Sequence, residues 1–258
     1  MKLRILGCGT SSGVPRIGND WGRCDPADPR NRRTRAAALA EVGGESILID
    51  CGPDMREQLN AAGRGEVDRV IVTHDHADHC HGLDDLRQLA HNRGDQVPVY
   101  GRADLMERLQ ARFGYLFRGT SLYPAVARAR PIESDWTIGK ATVRFCDQPH
   151  GRITSLGMRF DDGGRSLAYA IDFHELNDAM AALYAGVDVW VADCLRRRPH
   201  PTHAHLDAVL GWARELQVGQ LVLSHLDNSM DVRELSAELP DWAAPAYDGM
   251  EIKPDGGP

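Results

Sequence analysis

The segment from Thr73 to His79, THDHADH, concentrates metal-binding side chains, with three histidines and two aspartates in seven positions. Imidazole is the commonest metal ligand in proteins, and carboxylates supply the negative charge that holds two cations close together. If the preceding apolar run is a strand that ends at Thr73, His74 and His76 project to the same side, and Asp78 and His79 fall in the turn beyond. The segment therefore predicts a pair of divalent metals at the end of a strand.

Three further metal-binding side chains stand where strands are predicted to end: His150, Asp172 and His225. Functional groups of α/β proteins gather at such strand ends. Each one alone has a structural interpretation, as a loop histidine, a helix-capping aspartate or a histidine at a sheet edge. Beside the THDHADH segment, the set favours one shared metal centre. Cys80 adjoins the segment but stands outside the predicted ligand set, because histidines and carboxylates already suffice.

The elements that must position these residues follow from the apolar runs, which predict an α/β protein. The pattern favours layered sheets covered by helices, in a single domain spanning residues 1–258. Strands are predicted at Leu3 to Leu6, Ala37 to Val42, Ser46 to Ile49, Arg69 to Thr73, Val97 to Tyr100, Thr142 to Phe145, Ser166 to Ile171, Val187 to Ala192 and Gln220 to Ser224, and helices at Leu176 to Tyr184 and Leu206 to Leu216. We expect Gly114 to Asp135 to be a surface loop or lid, and the tail from Lys253 to be frayed.

Composition and charge narrow the function classes. The 258 residues, 42% of them hydrophobic, can bury a sizeable core, and the net charge of -7 disfavours nucleic acid as a partner without excluding it. No apolar stretch approaches the roughly 20 residues of a membrane span, and the amino terminus lacks a signal-peptide core, so we expect a cytoplasmic protein. The six cysteines are scattered and are expected to be reduced.

The order of the HxHxDH motif, a lone histidine, a strand-ending aspartate and a final strand-ending histidine resembles the metallo-β-lactamase superfamily, over essentially the whole chain. The resemblance implies an αββα sandwich, in which two mixed β-sheets pack face to face with helices on both outer faces. It also implies a ligand set. The first metal would be held by His74, His76 and His150, the second by Asp78, His79 and His225, and Asp172 would bridge the two.

Within the superfamily, the chain is similar to PhnP-type phosphodiesterases and ribonuclease Z. The loop LGCGTSSGVP resembles theirs, and a bridging carboxylate such as Asp172 is characteristic of phosphodiesterases and nucleases rather than of lactamases. The segment PTHAHLD resembles the PhnP motif whose histidine acts near the leaving group, which maps to His203, with His205 as the neighbouring candidate. The resemblance thus assigns catalytic roles to His203 or His205, beside Asp78.

Other residues complete the expected site. Asp50 matches the superfamily's first acidic motif, which supports the ligand loop through hydrogen bonds. An arginine-rich segment follows the first loop, and its guanidinium groups are candidates to bind a substrate phosphate, against the alternative of a solvated charge run or ion-paired edge: Arg32, Arg33 and Arg35. The PhnP cysteine cluster for a structural zinc is represented here by Cys24 alone, with Asn228 in place of its histidine, so no third metal is expected.

These features predict hydrolysis of a small phosphodiester, cyclic or nucleotide-like, in which two divalent ions activate water for in-line attack. The ions are expected to be Zn²⁺ or Mn²⁺, with iron as a further candidate. Close similarity to PhnP would imply 5-phosphoribosyl 1,2-cyclic phosphate as the substrate. Three alternatives stay open: a ribonuclease Z-like nuclease, a thioester or lactone hydrolase, and a noncatalytic metal-binding module. A homodimer is also left open.

Overall fold

The computed structural model describes residues 1–254, and within this range fourteen strands form two seven-stranded sheets. The strands are β1 Lys2–Gly7, β2 Ala37–Val42, β3 Glu45–Ile49, β4 Arg69–Ile71, β5 Val97–Gly101, β6 Ala127–Pro131, β7 Trp136–Ile138, β8 Ala141–His150, β9 Ile153–Asp162, β10 Arg165–Ala170, β11 Val189–Asp193, β12 Gln220–Ser224, β13 Ala243–Pro245 and β14 Glu251–Ile252. The helices are α1 Met55–Ala61, α2 Ala77–Cys80, α3 Leu86–Arg93, α4 Ala103–Arg112, α5 Gly114–Arg118, α6 Asp178–Tyr184, α7 Leu206–Glu215 and α8 Val232–Glu238, with short 3-10 turns at Pro29–Asn31 and Leu83–Asp85.

Both sheets are mixed, and each has an antiparallel half and a parallel half. The first has the order β14-β1-β2-β3-β4-β5-β6, and the second has the order β13-β12-β11-β10-β9-β8-β7. In the first sheet the pairings from β14 to β3 are antiparallel and those from β3 to β6 are parallel. In the second sheet β7 to β10 pair antiparallel and β10 to β13 pair parallel. Each sheet therefore has a parallel half whose carboxyl strand ends can carry functional residues.

Three apolar layers hold these elements together. The central layer lies between the sheets and joins residues such as Ile49 and Ile71 of the first sheet to Tyr169 and Val191 of the second. A second layer packs the other face of the first sheet against α1, α3 and α4, and a third packs the second sheet against α6, α7 and α8. Burial of these apolar side chains is the main force that stacks the layers. The αββα sandwich implied by the sequence is confirmed.

The predicted strands and helices agree closely with the structure. The strands Ala37–Val42 and Gln220–Ser224 have the predicted bounds, and the other predicted strands and helices match within a few residues, except one. The predicted strand from Thr142 to Phe145 is the core of the ten-residue β8, which continues to His150. His150 is therefore the last residue of a strand rather than a loop residue, because β9 returns beside β8 over its full length.

The prediction of an irregular segment from Gly114 to Asp135 was wrong. It contains α5 and the strand β6, which pairs in parallel with β5 along its whole length. The pattern concealed this strand because arginines alternate with small residues in it, so its apolar signal is weak. In the first half, α1, α3 and α4 were not predicted either. The tail prediction falls mainly on residues 255–258, which lie outside the described residues.

The helices of residues 1–254 are all too short or too polar to cross a lipid bilayer.

A close backbone approach fixes the end of β3 against the THDHADH segment. A Cβ added at Gly52 would collide with the carbonyl oxygen of Asp78, and one added at Gly82 would collide with the carbonyl oxygen of Gly52. The contact is reinforced by a hydrogen bond that Cys51 N donates to the carbonyl of His79 at 2.9 Å. Glycine at position 52 thus lets the first sheet contact the segment directly.

We expect Gly52→Ala to displace the Asp78 backbone, destabilise the fold by about 1–3 kcal/mol as overpacked sites do, and lower the bound metal. Gly211→Ala is the matched control, because a Cβ there meets no atom within 4 Å in α7, and alanine should stabilise a helix by about 0.5–1 kcal/mol. Thermal melts and metal analysis of both variants check this. Equal metal content in the two variants would contradict the role of Gly52.

Candidate metal centre

The THDHADH segment leaves the first sheet earlier than predicted. Strand β4 ends at Ile71, so Thr73 to His76 form an irregular connection, and residues 77–80 form the short helix α2. Asp78 and His79 therefore lie beyond the strand, as the sequence predicted, and the turn that holds them is helical. The connection is held from outside by α4, where Arg108 Nε donates to Asp75 Oδ2 at 3.1 Å and Arg112 Nη1 donates to the Asp75 carbonyl at 2.9 Å.

Asp50 orients two of the histidines, as the sequence predicted for its motif. Its Oδ1 accepts from Thr73 N at 2.8 Å, and its Oδ2 accepts from Thr73 Oγ1 at 3.0 Å and lies 2.7 Å from His79 Nδ1. Because Thr73 Oγ1 donates to Asp50, it accepts from His74 Nδ1 at 3.0 Å. Both imidazoles therefore carry a proton on Nδ1 and turn Nε2 toward the site.

The atoms that could bind a metal form two groups, which we call donor groups. The first donor group lies where His74 and His76 face His150. His74 Nε2 and His150 Nε2 lie 3.0 and 3.2 Å from His76 Nδ1, and His74 Nε2 lies 3.1 Å from Asp172 Oδ2. His150 Nδ1 donates to the Thr202 carbonyl at 2.8 Å, which leaves its Nε2 free. Ligands of a tetrahedral ion at 2.0–2.1 Å are about 3.4 Å apart. The spacing of this group therefore suits one metal ion.

The second group stands beside the first. His79 Nε2 lies 3.2 Å from Asp78 Oδ2 and 2.9 Å from Asp172 Oδ2, while His225 Nε2 lies 3.2 Å from Asp172 Oδ1. The donors of each group come within 4.8 Å of one another, and Asp172 belongs to both. The structure thus brings together all seven predicted ligands: His74, His76, Asp78, His79, His150, Asp172 and His225.

Three strand-end residues of the site adopt backbone angles that are uncommon outside glycine. Asp50, Asp172 and His225 have φ values of 64, 59 and 60°. Left-handed residues of this kind cost energy and concentrate at functional sites. Each follows a strand, β3, β10 or β12, and the unusual φ turns the chain sharply at the strand end. The strained backbone at these three positions therefore orients their side chains.

The electrostatics of the donors favour cations. Burial alone would lower the pKa of His225, but Asp172 and Asp193 raise it to about 10. The pKa of His79 is likewise raised despite its burial, chiefly by Asp172 and Asp50. Burial lowers the pKa of His150 to about 4. The carboxylates therefore attract positive charge at His79 and His225, and His150 stays neutral and able to coordinate.

Several buried polar atoms of the site also lack hydrogen-bond partners among the described residues. They include His79 Nε2, Asp172 Oδ1 and His225 Nε2, all of which face the second donor group. Buried polar atoms are normally satisfied, and unsatisfied ones indicate a missing partner such as an ion. The donor set of nitrogen and oxygen atoms fits divalent transition metals, as the superfamily implies.

The sequence analysis missed Asp193, the last residue of β11. It is fully buried, and its Oδ2 accepts from His203 Nδ1 at 2.9 Å while its Oδ1 lies 3.4 Å from His225 Nδ1. The signal was available, since Asp193 ends an apolar strand just as Asp172 follows one. The predicted strand ended at Ala192, one residue too early. Asp193 orients His203 and His225 together.

The other predicted site residues lie at varying distances from the donors. His203 Nδ1 is 3.5 Å from Asp172 Oδ1, whereas His205 is the N-cap of α7 and lies outside the donor groups. Cys80 donates its thiol to the His76 carbonyl, and burial raises its pKa to about 11, so it is a thiol rather than a ligand.

The structure does not bring the predicted arginine cluster to the site. Arg33 is buried and donates to the carbonyls of Asp227 and Met230 at 3.0 and 2.5 Å. Arg35 pairs with Asp54 at 2.9 Å, and Arg32 lies over the ring of Trp21. Sequence spacing could not reveal the partners of Arg33, because they lie 194 and 197 residues away in the chain.

A cavity of about 350 Å³ opens onto both donor groups. Its lining includes His76, Asp78, His150, Asp172 and His225, together with His203. Larger concavities of about 1010 and 530 Å³ lie elsewhere and have none of the metal donors in their walls. The smaller cavity, which joins the donors to solvent, is therefore the candidate active site.

Comparisons with known proteins agree with this geometry. A model of the β-lactamase superfamily domain matches residues 45–226, and the chain belongs to the metallo-β-lactamase superfamily. A solved structure described as a new diphosphatase from the PhnP family superposes with a TM-score of 0.88 at 33% identity, covering 97% of this chain and 96% of that one. The predicted PhnP and ribonuclease Z branch is thereby confirmed.

Two curated relatives extend the comparison. Ribonuclease Z of Mycobacterium sp. (strain KMS) is 26% identical over 76% of this chain and 79% of that protein. An octanoyltransferase of Porphyromonas gingivalis is 30% identical over 97% of this chain, which spans about half (51%) of that relative. The prediction that the chain is a metal-dependent hydrolase is confirmed by the hydrolases among its relatives.

We expect Asp172→Ala to lower the metal content to one ion or none, because both donor groups share this carboxylate. Asp241→Ala is the control, since it removes an exposed carboxylate elsewhere. Elemental analysis after metal loading and desalting measures the content directly. Two ions retained by the Asp172 variant would refute the bridging role.

Proposed function

We propose that this chain is a binuclear metal-dependent phosphodiesterase that hydrolyses a small phosphodiester, cyclic or nucleotide-like. The observation that carries the proposal is the position of Asp172, whose Oδ2 lies 3.1 Å from His74 Nε2 of the first donor group and 2.9 Å from His79 Nε2 of the second, while its Oδ1 lies 3.2 Å from His225 Nε2. A carboxylate shared in this way sets two cations close together.

In this proposal the first ion would be held by His74, His76, His150 and Asp172, and the second by Asp78, His79, His225 and Asp172. Zn²⁺ and Mn²⁺ are the proposed metals, with iron as a third candidate. When bound, the ions supply a nucleophile at neutral pH and neutralise charge on the phosphoryl oxygens. Asp78 thus acts in catalysis through its place in the second donor group.

His203 is the proposed general acid. Its Nδ1–H is bound by Asp193, so its Nε2 is the nitrogen free to carry a proton toward the cavity that it lines. The contact with Asp193 fixes the ring so that Nε2 is placed to donate a proton to a departing alkoxide. His205 lies outside this cavity's lining, which favours His203 over the neighbouring candidate.

The size of the cavity favours a small substrate. A volume of about 350 Å³ is at the lower end of the range for small-molecule sites. The net charge of -7 points the same way, because long-range attraction to a polynucleotide requires positive charge. A cyclic ribose phosphate fits these limits, and the similarity to a diphosphatase adds diphosphate esters to the candidates.

We expect His203→Ala to keep its metals but to slow hydrolysis of alkyl phosphodiesters by about a hundredfold to ten-thousandfold, the usual contribution of general acid catalysis. An aryl ester such as bis-para-nitrophenyl phosphate should lose less, because its leaving group needs little protonation. His205→Ala is the matched control two residues away and should lose little. Steady-state kinetics on both esters checks this, and equal losses for both variants would remove the assignment of His203.

A substrate panel separates the competing functions. The metal-loaded protein would be tested with bis-para-nitrophenyl phosphate, cyclic nucleotides, a cyclic ribose phosphate, a diphosphate ester, RNA and a thioester. Turnover of small phosphodiesters supports the proposal. Salt-sensitive cleavage of RNA would instead favour a nuclease, thioester turnover alone a thioester hydrolase, and metal binding without turnover a noncatalytic module.

A further inference from the structure

Two buried polar side chains lie behind the candidate metal centre and belong to neither donor group: Gln148 of β8 and Ser155 of β9. They stand opposite each other in the antiparallel pairing of the two strands, and Gln148 Nε2 donates to Ser155 Oγ at 2.9 Å. Gln148 Oε1 accepts from the hydroxyl of Tyr184 in α6 at 2.9 Å. Apolar side chains would avoid the cost of burying polar groups at these strand positions. The targets of the remaining hydrogen bonds are therefore informative.

Both side chains direct these remaining hydrogen bonds to the backbone at Asp172. Ser155 Oγ donates to the Asp172 carbonyl at 2.7 Å and lies 3.1 Å from the Ile171 carbonyl. Gln148 Nε2 donates to the same Ile171 carbonyl at 3.0 Å. Because the Ser155 hydroxyl accepts from Gln148, its single proton is directed toward the two carbonyls. The amide of Gln148 thus orients the hydroxyl of Ser155.

The two carbonyls belong to the peptide planes on either side of the Asp172 Cα. Each peptide unit is planar, so φ and ψ are the only soft torsions between the two planes. Hydrogen bonds that hold both planes therefore set φ and ψ of Asp172, and with them the direction of its side chain. The second plane is also held at its nitrogen, since Phe173 N donates to Asp193 Oδ2 at 3.2 Å.

This support falls where the backbone most needs it. Asp172 has a φ of 59°, a conformation that persists outside glycine only when its surroundings enforce it. The same stretch of β9 holds the ligand segment as well, because Leu156 N donates to the Thr73 carbonyl at 3.1 Å. Strand β9 thus fixes the backbone of Asp172 relative to the residue that precedes His74.

We propose that Ser155 and Gln148 are positioning residues, which hold the backbone of Asp172 so that its carboxylate reaches both donor groups. This role rests on the metal centre of the proposed function and assigns to it two residues that do not touch metal or substrate. Neither residue lines the cavity, so each acts only through Asp172.

The first test is the affinity for Zn²⁺, measured by competition with a chromophoric chelator. We expect Ser155→Ala to lower it about tenfold to a hundredfold, the usual effect of removing a group that orients a metal ligand. Ser166→Ala is the matched control, because Ser166 is also buried and its hydroxyl donates to Asp188 at 3.0 Å, at the opposite end of β10 from Asp172. Its thermal stability without metal should fall comparably, while its Zn²⁺ affinity should not change.

A second variant and a spectroscopic measurement separate positioning from a general loss of stability. Gln148→Met keeps most of the side-chain bulk and removes the amide, so it should weaken metal binding in the same direction and decides the question if Ser155→Ala does not fold. At saturating Mn²⁺, electron paramagnetic resonance compares the magnetic coupling that a shared carboxylate transmits between two ions. We expect altered coupling in both variants and wild-type coupling in Ser166→Ala, since lower stability alone would not change it.

Unchanged affinity and coupling in Ser155→Ala and Gln148→Met would overturn the positioning role, and so would an equal loss of affinity in Ser166→Ala. Turnover has no part in these readouts. If wild type binds two ions but hydrolyses no phosphodiester, the proposed function fails, and the same variants still decide the role of Ser155 and Gln148. A wild-type protein that binds no divalent metal would overturn both.

Discussion

The carboxylate of Asp172 is the contact on which the site depends. One of its oxygens faces His74 and His79 and the other faces His225, so each donor group is incomplete without it. Its position is secured by the backbone, through a left-handed φ at the end of β10. Around it, Asp50 and Asp193 fix the imidazoles by binding the nitrogens that face away from the donors. The ends of β3, β10 and β11 place the carboxylates of Asp50, Asp172 and Asp193.

Much of this arrangement could be read from the sequence, because chemistry and local pattern coincide there. The spacing in THDHADH and the residues at the ends of apolar strands predicted the seven candidate ligands that the structure brings together. The αββα layering followed from the superfamily resemblance. For the candidate ligands the information lies in residue type and in positions relative to apolar runs, which a single sequence displays.

The rest depended on contacts between residues far apart in the chain. Arg33 looked like an anion ligand in a basic segment, but its partners are carbonyls at positions 227 and 230. Strand β6 lacks an apolar pattern, and its pairing with β5 is what identifies it as a strand. Asp193 was overlooked because a strand boundary was misplaced by one residue, and boundaries are the least certain part of such reading.

The origin of the ligands has a mechanical consequence. His74, His76, Asp78 and His79 follow β4 of the first sheet, whereas His150, Asp172 and His225 end or follow strands of the second. Each donor group therefore spans both sheets, and an ion in either would crosslink the two layers at one edge. In the central layer the two sheets meet through apolar side chains, whose contacts are not directional. Metal binding would therefore restrict sliding of one sheet over the other at the edge where the substrate enters.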